Sequence, residues 1–186
     1  MNGAERARLS VALLLCSDRA ASGARDDATA ALLAPALAAA GHVLATTRIV
    51  PDELPAIAAA LRELALVHPI VLTSGGTGLA RRDVTVEATR SVIEREVPGI
   101  GEAMRARSLA VTPMAMVSRA TAGTLGGCLI INLPGSPRGA LDCLEVVVPI
   151  FAHAARLLAG AVRDCQVEVA AERAAQGAAE GEDRTR

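Results

Sequence analysis

The feature that most restricts the fold of this chain is an alternation of short apolar runs with longer amphipathic or Ala/Leu-rich stretches. Residues 10–16 (SVALLLC) form an apolar run that suits a buried strand. Residues 42–50 carry β-branched side chains and read as a second strand, and residues 69–73 (PIVLT) as a third. Between them, residues 27–40 read as a helix stopped by Gly41, and residues from Asp52 to about Leu66 as another. A further helix is expected from Thr85 to a point before Pro98, and one more over residues 99–109. Residues 115–122 and 128–132 read as two strands joined by Gly-rich residues. Residues 138–160 read as helical, with a break near Pro149, which cannot donate the helix bond. Strands alternating with helices imply βαβ units and a parallel sheet covered on both faces. The expectation is an α/β fold: one doubly wound, mostly parallel sheet in a single domain over residues 8–163.

Composition narrows the function. All nineteen cationic side chains are arginine, the net charge is −1, and Phe151 is the only aromatic residue. Single-strand nucleic-acid binders stack bases on aromatic side chains in a basic groove, and this chain has neither feature. No apolar stretch is long enough for a membrane span, and the first residues lack the apolar run of a signal peptide, so a cytoplasmic protein is expected. The four cysteines, Cys16, Cys128, Cys143 and Cys165, make no C-x-x-C pair; zinc is not expected, and three of them read as small core hydrophobes.

In open α/β sheets, ligands bind beyond the carboxyl ends of the strands. Four polar clusters fall there: Ser17-Asp18-Arg19, Pro51-Asp52-Glu53, residues 73–83, and residues 132–137. The third holds Gly75, Gly76, Thr77 and Gly78, which lets the backbone turn sharply and present N–H groups to a phosphate. It is neither a P-loop nor G-x-G-x-x-G. Arg81, Arg82 and Asp83 follow; guanidinium groups bind phosphate, and Mg²⁺ takes one or two carboxylates plus substrate phosphates. Asp52 and Asp83 each precede a predicted helix, so each could equally be an N-cap. As a pair beside a glycine turn they could share one Mg²⁺ in a nucleotidyl-transfer site. Pro134, Gly135, Ser136 and Pro137 stiffen a loop that leads into a helix N-terminus, where anions are favoured.

Taken in order, these motifs resemble the molybdopterin-binding family of molybdenum cofactor biosynthesis, which includes bacterial adenylyltransferases. The matching residues are Ser17-Asp18-Arg19-Ala20-Ala21-Ser22-Gly23, Val50-Pro51-Asp52-Glu53, Thr73-Ser74-Gly75-Gly76-Thr77-Gly78, Arg82-Asp83-Val84-Thr85 with Glu87-Ala88, Pro98-Gly99-Ile100-Gly101-Glu102-Ala103-Met104-Arg105, Ser118-Arg119-Ala120 with Gly123, and Ile131-Asn132-Leu133-Pro134-Gly135-Ser136-Pro137. The resemblance implies a homotrimer that uses Mg²⁺ to transfer AMP from ATP to the terminal phosphate of molybdopterin. The product would pass to a molybdate-inserting enzyme. It also implies catalytic, Mg²⁺-binding roles for Asp52 and Asp83. Gly75, Gly76, Thr77, Gly78, Arg82 and the 134–137 loop would hold the nucleotide, and Ser17, Arg19, Ser22, Gly23, Ser118 and Arg119 the molybdopterin. Two positions depart from the family pattern: Asp27-Ala28-Thr29-Ala30 lacks the usual glycine, and Val86 replaces a usual proline. A non-catalytic molybdopterin-binding scaffold of the same fold is the alternative.

Residues 164–186 carry six acidic and three basic side chains and almost no bulky apolar residue after Val169. Such a segment cannot bury enough surface to offset an ordering cost of about 1–2 kcal/mol per residue for the backbone alone. The expectation is a mobile tail. Deleting residues 171–186 should leave turnover and melting temperature nearly unchanged; a fall of many degrees, or loss of the oligomer, would show that the segment docks.

Overall fold

The computed structural model describes residues 8–23 and 28–161; the expected tail lies outside the described residues. Six strands form one sheet: β1 (Ser10–Cys16), β2 (Val43–Val50), β3 (Ile70–Ser74), β4 (Arg95–Glu96), β5 (Ala122–Leu125) and β6 (Cys128–Leu133). Their order is β2-β1-β3-β6-β5-β4. The first four in that order are parallel, whereas β5 runs antiparallel to β6, and β4 to β5. The helices are α1 (Asp18–Ala21), α2 (Thr29–Ala39), α3 (Leu54–Ala65), α4 (Thr85–Arg90), α5 (Pro98–Leu109), α6 (Pro137–Val147) and α7 (Phe151–Leu158). Among the described residues, none is long and apolar enough to cross a membrane.

Both faces of the sheet are covered, as a doubly wound fold requires. In β1, Val11, Leu13 and Leu15 pack on one side with Leu33 and Leu37 of α2, Met104 of α5, Leu144 of α6 and Phe151 of α7. The intervening Ala12, Leu14 and Cys16 pack on the other side with Ile57 and Leu61 of α3 and Ala88 of α4. The two-residue period of a strand thus feeds two cores at once. Cys16, Cys128 and Cys143 are buried in these cores, and burial pushes the Cys16 and Cys128 thiols up to about 12, so they behave as small hydrophobes.

Two expected elements differ, and the expected break near Pro149 is present. Residues 115–122 do not form a strand: Pro113–Val117 is a 3-10 turn, and pairing begins only at Ala122. Pro113 supplies no N–H, and the Thr112 hydroxyl accepts from the Met114 N–H at 3.3 Å, which starts a turn instead. The helix expected to run from Thr85 toward Pro98 ends at Arg90, where the Ser91 hydroxyl bonds back to the Ala88 carbonyl at 2.7 Å; Arg95 and Glu96 then pair with β5. Near Pro149 the long C-terminal helix does break, into α6, a 3-10 turn at Val148–Ile150, and α7.

The strand order reverses between β1 and β3. From β1 the chain crosses outward to β2 and then returns to the other side of β1 as β3. That switch point is where the polar clusters collect, and it fixes where a ligand can bind.

Candidate active site

Two carboxylates stand side by side at the ends of β1 and β2. The Asp18 N–H donates to Asp52 Oδ2 at 3.0 Å, and the Asp52 N–H donates to Asp18 Oδ1 at 2.9 Å. Arg82 closes on the outer carboxylate as a fork, with Nε to Asp18 Oδ2 at 3.0 Å and Nη2 to Oδ1 at 2.7 Å. The Arg82 guanidinium holds the Asp18 carboxyl below its usual range. Burial pushes the Asp52 carboxyl upward, opposed by the bond from the Asp18 N–H; the charges of Asp18 and Asp83 also raise it. Asp52 Oδ1 is buried with no hydrogen-bond partner. Neither Asp52 nor Asp83 caps a helix by its side chain. The residue before α3 is Glu53 and that before α4 is Val84, each without a side-chain cap bond.

The glycine turn leaves β3 through a space that admits no side chain. Gly75 has φ +104°, and a Cβ there would lie 2.2 Å from the Cys16 carbonyl oxygen. Gly76 has φ +63°, and its Cβ would lie 2.2 Å from the Thr85 hydroxyl. The proline loop lies against this turn: a Cβ on Gly135 would come within 3.1 Å of the Gly75 Cα, and the Ser74 hydroxyl donates to the Pro134 carbonyl at 2.9 Å. Ser136 caps α6 by accepting from the Gly139 N–H at 3.3 Å. Beneath both loops, the buried Asn132 side chain donates to Thr73 Oγ1 at 3.0 Å and Thr89 Oγ1 at 2.8 Å, which ties β6 to β3 and α4.

A cavity of about 380 Å³ opens beside these loops. Its walls include Gly76, Thr77, Gly78 and Asp83 from one side, Pro134, Gly135 and Ser136 from another, and Ser118 from a third. Asp52, Arg82, Ser17, Arg19, Ser22 and Gly23 are not among its lining residues; Ser17, Arg19, Ser22 and Gly23 follow β1, Asp52 follows β2, and Arg82 reaches Asp18 from the segment between β3 and α4. Gly75 and Pro137 sit behind the wall, one under the Cys16 carbonyl and the other opening α6. Asp83 shapes its own turn: its N–H donates to the Ala80 carbonyl, and its Oδ2 accepts from the Ala80 N–H at 2.8 Å.

Arg119, expected to face molybdopterin, turns inward. Its Nε donates to the Gly78 carbonyl at 2.7 Å, its Nη2 to the Asp83 carbonyl at 2.6 Å, and its guanidinium pairs with Glu87. Two residues acquire roles that the sequence had not assigned. Asp18 links Arg82 to Asp52, and Arg105, from the 98–105 motif, is the one cationic wall residue of the cavity among the described residues. Its Nη1 donates to the Ala120 carbonyl at 2.8 Å.

Fold and site together define an α/β protein with a cavity at the topological switch point, built from a glycine turn, an aspartate and a proline loop. Residues 12–153 match a family described as "Probable molybdopterin binding domain", and the chain belongs to that family. The molybdopterin adenylyltransferase of Haemophilus influenzae is 43% identical over 147 residues, covering 76% of this chain and 74% of the relative. That of Helicobacter pylori is 37% identical over 156 residues, covering 81% and 88%. The crystal structure of the molybdopterin biosynthesis enzyme MoaB from Thermus thermophilus superposes with a TM-score of 0.76 at 46% identity, covering 82% of this chain and 97% of that one. The molybdopterin biosynthesis Mog protein from Mycobacterium ulcerans gives a TM-score of 0.75 at 35% identity, covering 82% and 99%.

The geometry of the glycine turn yields a direct expectation. Gly75→Ala should lose more than about 2 kcal/mol of stability, because it combines a strained backbone with a clash against a main-chain oxygen. Gly127→Ala, whose Cβ would meet nothing within 4 Å, should stay within about 0.5 kcal/mol of wild type. Denaturant titration of both variants measures the contrast; equal stabilities would contradict this account of Gly75.

Proposed function

We propose that this chain transfers AMP from ATP to the terminal phosphate of molybdopterin, with Mg²⁺, in the cytoplasm and as a homotrimer. The observation that carries this reading is the pairing of two features at one switch point: Asp83 beside the glycine turn in the cavity wall, and a buried Asp52 oxygen that meets no donor. A scaffold that only bound a pterin would gain nothing from a buried carboxylate oxygen left without a donor, which is costly to keep.

The residues present fit a magnesium ion. Asp52 Oδ1 is an available hard oxygen ligand, its other oxygen is fixed by the Asp18 N–H, and Asp83 supplies a second carboxylate whose charge acts on Asp52. Bound there with the nucleotide, Mg²⁺ would offset phosphate charge. The remaining work is positioning. The reaction forms a new P–O–P linkage: an oxygen of the molybdopterin phosphate attacks the α-phosphorus, the α–β bond breaks, and pyrophosphate leaves. Two anions must be brought together, so the backbone N–H groups of the glycine turn hold the nucleotide phosphates. The proline loop is rigid and forms a wall, and Ser118 faces the cavity from the side we assign to molybdopterin. Arg82 supports this arrangement through Asp18, which holds the Asp52 backbone in place. The first-loop residues Ser17, Arg19, Ser22 and Gly23 lie at the end of β1, where an extended pterin could reach. The product would be handed to a molybdate-inserting enzyme.

Apolar side chains at the end of α5 and in the following turn support self-association. Val111, Met114 and Met116 are 66%, 66% and 70% exposed, more than a surface of isolated apolar residues accounts for. Light scattering at micromolar concentration should give three times the chain mass; a monomer would overturn the trimer.

Asparagine keeps the hydrogen bonds that Asp83 and Asp52 accept from N–H groups, but it is neutral and a poor Mg²⁺ ligand. Asp83→Asn should therefore retain its melting temperature to within a few degrees while adenylyl transfer falls at least about a hundredfold, each factor of ten being 1.36 kcal/mol of barrier. Asp52→Asn should show a substantial, smaller fall. Because burial raises the Asp52 carboxyl in the metal-free protein, Mg²⁺ affinity should begin to fall on acidification at a pH above the ordinary carboxylate value of about 3.9, as measured by Mg²⁺ titration across pH. Formation of adenylyl-molybdopterin from ATP and molybdopterin by the purified protein is the test. Near-normal turnover in well-folded Asp83→Asn would remove the centre of the mechanism.

A further inference from the structure

Arg119 gathers three carbonyls of one loop. Its own N–H donates to the Thr77 carbonyl at 2.9 Å, its Nε to Gly78 and its Nη2 to Asp83. On the far side, Glu87 of α4 accepts from both Nη atoms, and this pairing holds the Glu87 carboxyl below its usual range. The charge is thus largely answered within the protein, and the fork of donors is used for geometry. In a planar trans peptide, C=O and N–H point in opposite directions. Turning the Thr77 and Gly78 carbonyls toward Arg119 therefore turns the N–H groups of Gly78 and Leu79 away from it. Among the described residues, neither N–H meets an acceptor. Gly78 and Asp83 line the cavity.

We propose that Arg119 is a positioning residue for nucleotide transfer: it locks the peptide planes of residues 77–79 so that two adjacent amide donors stand ready for the phosphates of the nucleotide. In the same grip it ties the main chain of Asp83 to the segment that carries Ser118. The two sides of the cavity, one for each substrate, are thereby held at a fixed separation. This goes further than the sequence, which suggested that Arg119 touches molybdopterin, and it rests on the nucleotidyl-transfer reading above. A preorganised row of N–H groups binds anions well because the cost of ordering it is met in folding, not at binding.

The test uses the full chain with Arg119→Ala and Arg119→Lys. Affinity for Mg²⁺ with a non-hydrolysable ATP analogue is measured by calorimetry, which needs no turnover. The turnover number, KM for molybdopterin and melting temperature are measured on the same preparations. Arg119→Ala should weaken nucleotide-analogue affinity by about tenfold or more and lower kcat by about a hundredfold, while KM for molybdopterin changes less than about threefold. Arg119→Lys, with a single ammonium that cannot reach both carbonyls and Glu87 as a fork, should fall between wild type and alanine. If the alanine variant does not fold, the lysine variant alone decides. Lysine behaving as wild type in both nucleotide affinity and kcat would overturn the proposal. So would a rise in KM for molybdopterin with unchanged nucleotide affinity, which would return Arg119 to the substrate contact. Equal weakening for both substrates, tracking a lower melting temperature, would leave a merely structural role and equally overturn it. Failure of the wild-type protein to bind the analogue would defeat the nucleotidyl-transfer reading itself, whereas wild-type binding shared by both variants would defeat only the role of Arg119.

Discussion

The absence of a side chain at Gly75 governs the whole arrangement. β3 leaves the sheet directly under the end of β1, so close that a Cβ would be 2.2 Å from the Cys16 carbonyl, and the proline loop leans on the Gly75 Cα from the other side. Three strand ends, those of β1, β3 and β6, meet at one residue. Any side chain there would separate β1 from β3 or lift the proline loop, and either movement would open the wall between the glycine turn and Ser136. The left-handed conformation at Gly75 and again at Gly76 then reverses the chain within a few ångströms of β3, so that Asp83 returns to the same side as the turn.

Charge is distributed by the same economy. With no lysine in the chain, each positive side chain near the site is a guanidinium, and Arg82, Arg119 and Arg105 are each engaged with the protein. Arg82 grips Asp18, Arg119 grips the glycine loop, and Arg105 donates to the Ala120 carbonyl. A planar fork suits such work, because two or three of its donors can be satisfied at once. Under the proposed function, the burden of meeting phosphate would fall on main-chain N–H groups and on a cation held by Asp52 and Asp83. Main-chain donors do not move with pH and carry little entropy to lose once the loop is fixed.

Most of the architecture could be read from periodicity. The runs at β1, β3 and β6 are mostly apolar because both faces are covered, and the strand-end clusters of polar and glycine residues mark the switch point whatever the exact register. What could not be read was side-chain direction. Residues 115–122 alternate in a way that mimics a strand, and a strand would have set Ser118 and Arg119 on opposite faces without saying which faced the ligand. The cap expected of Asp52 failed for a similar reason: its competitor was Asp18, thirty-four positions earlier in the chain, and no local pattern reveals that partner. Asp18 was visible as part of the first cluster, but its role depends on Arg82, brought to it only by the parallel order of β2, β1 and β3.

The two neighbouring aspartates are shifted in opposite directions by their surroundings. Asp18 is part-exposed, forked by Arg82 and pulled below its usual pKa; Asp52 is half-buried, donated to by one N–H, and pushed above it. The sign follows directly. A carboxyl whose pKa is higher folded than unfolded binds its proton more tightly when folded, so its contribution to stability is complete at low pH and is lost as pH rises through that window. At neutral pH Asp52 is therefore a deficit the fold carries. The fork of Arg82 does not remove the deficit, because its hydrogen bonds go to Asp18. Under the proposed function, a cation at Oδ1, the oxygen with no hydrogen-bond partner, would offset that deficit.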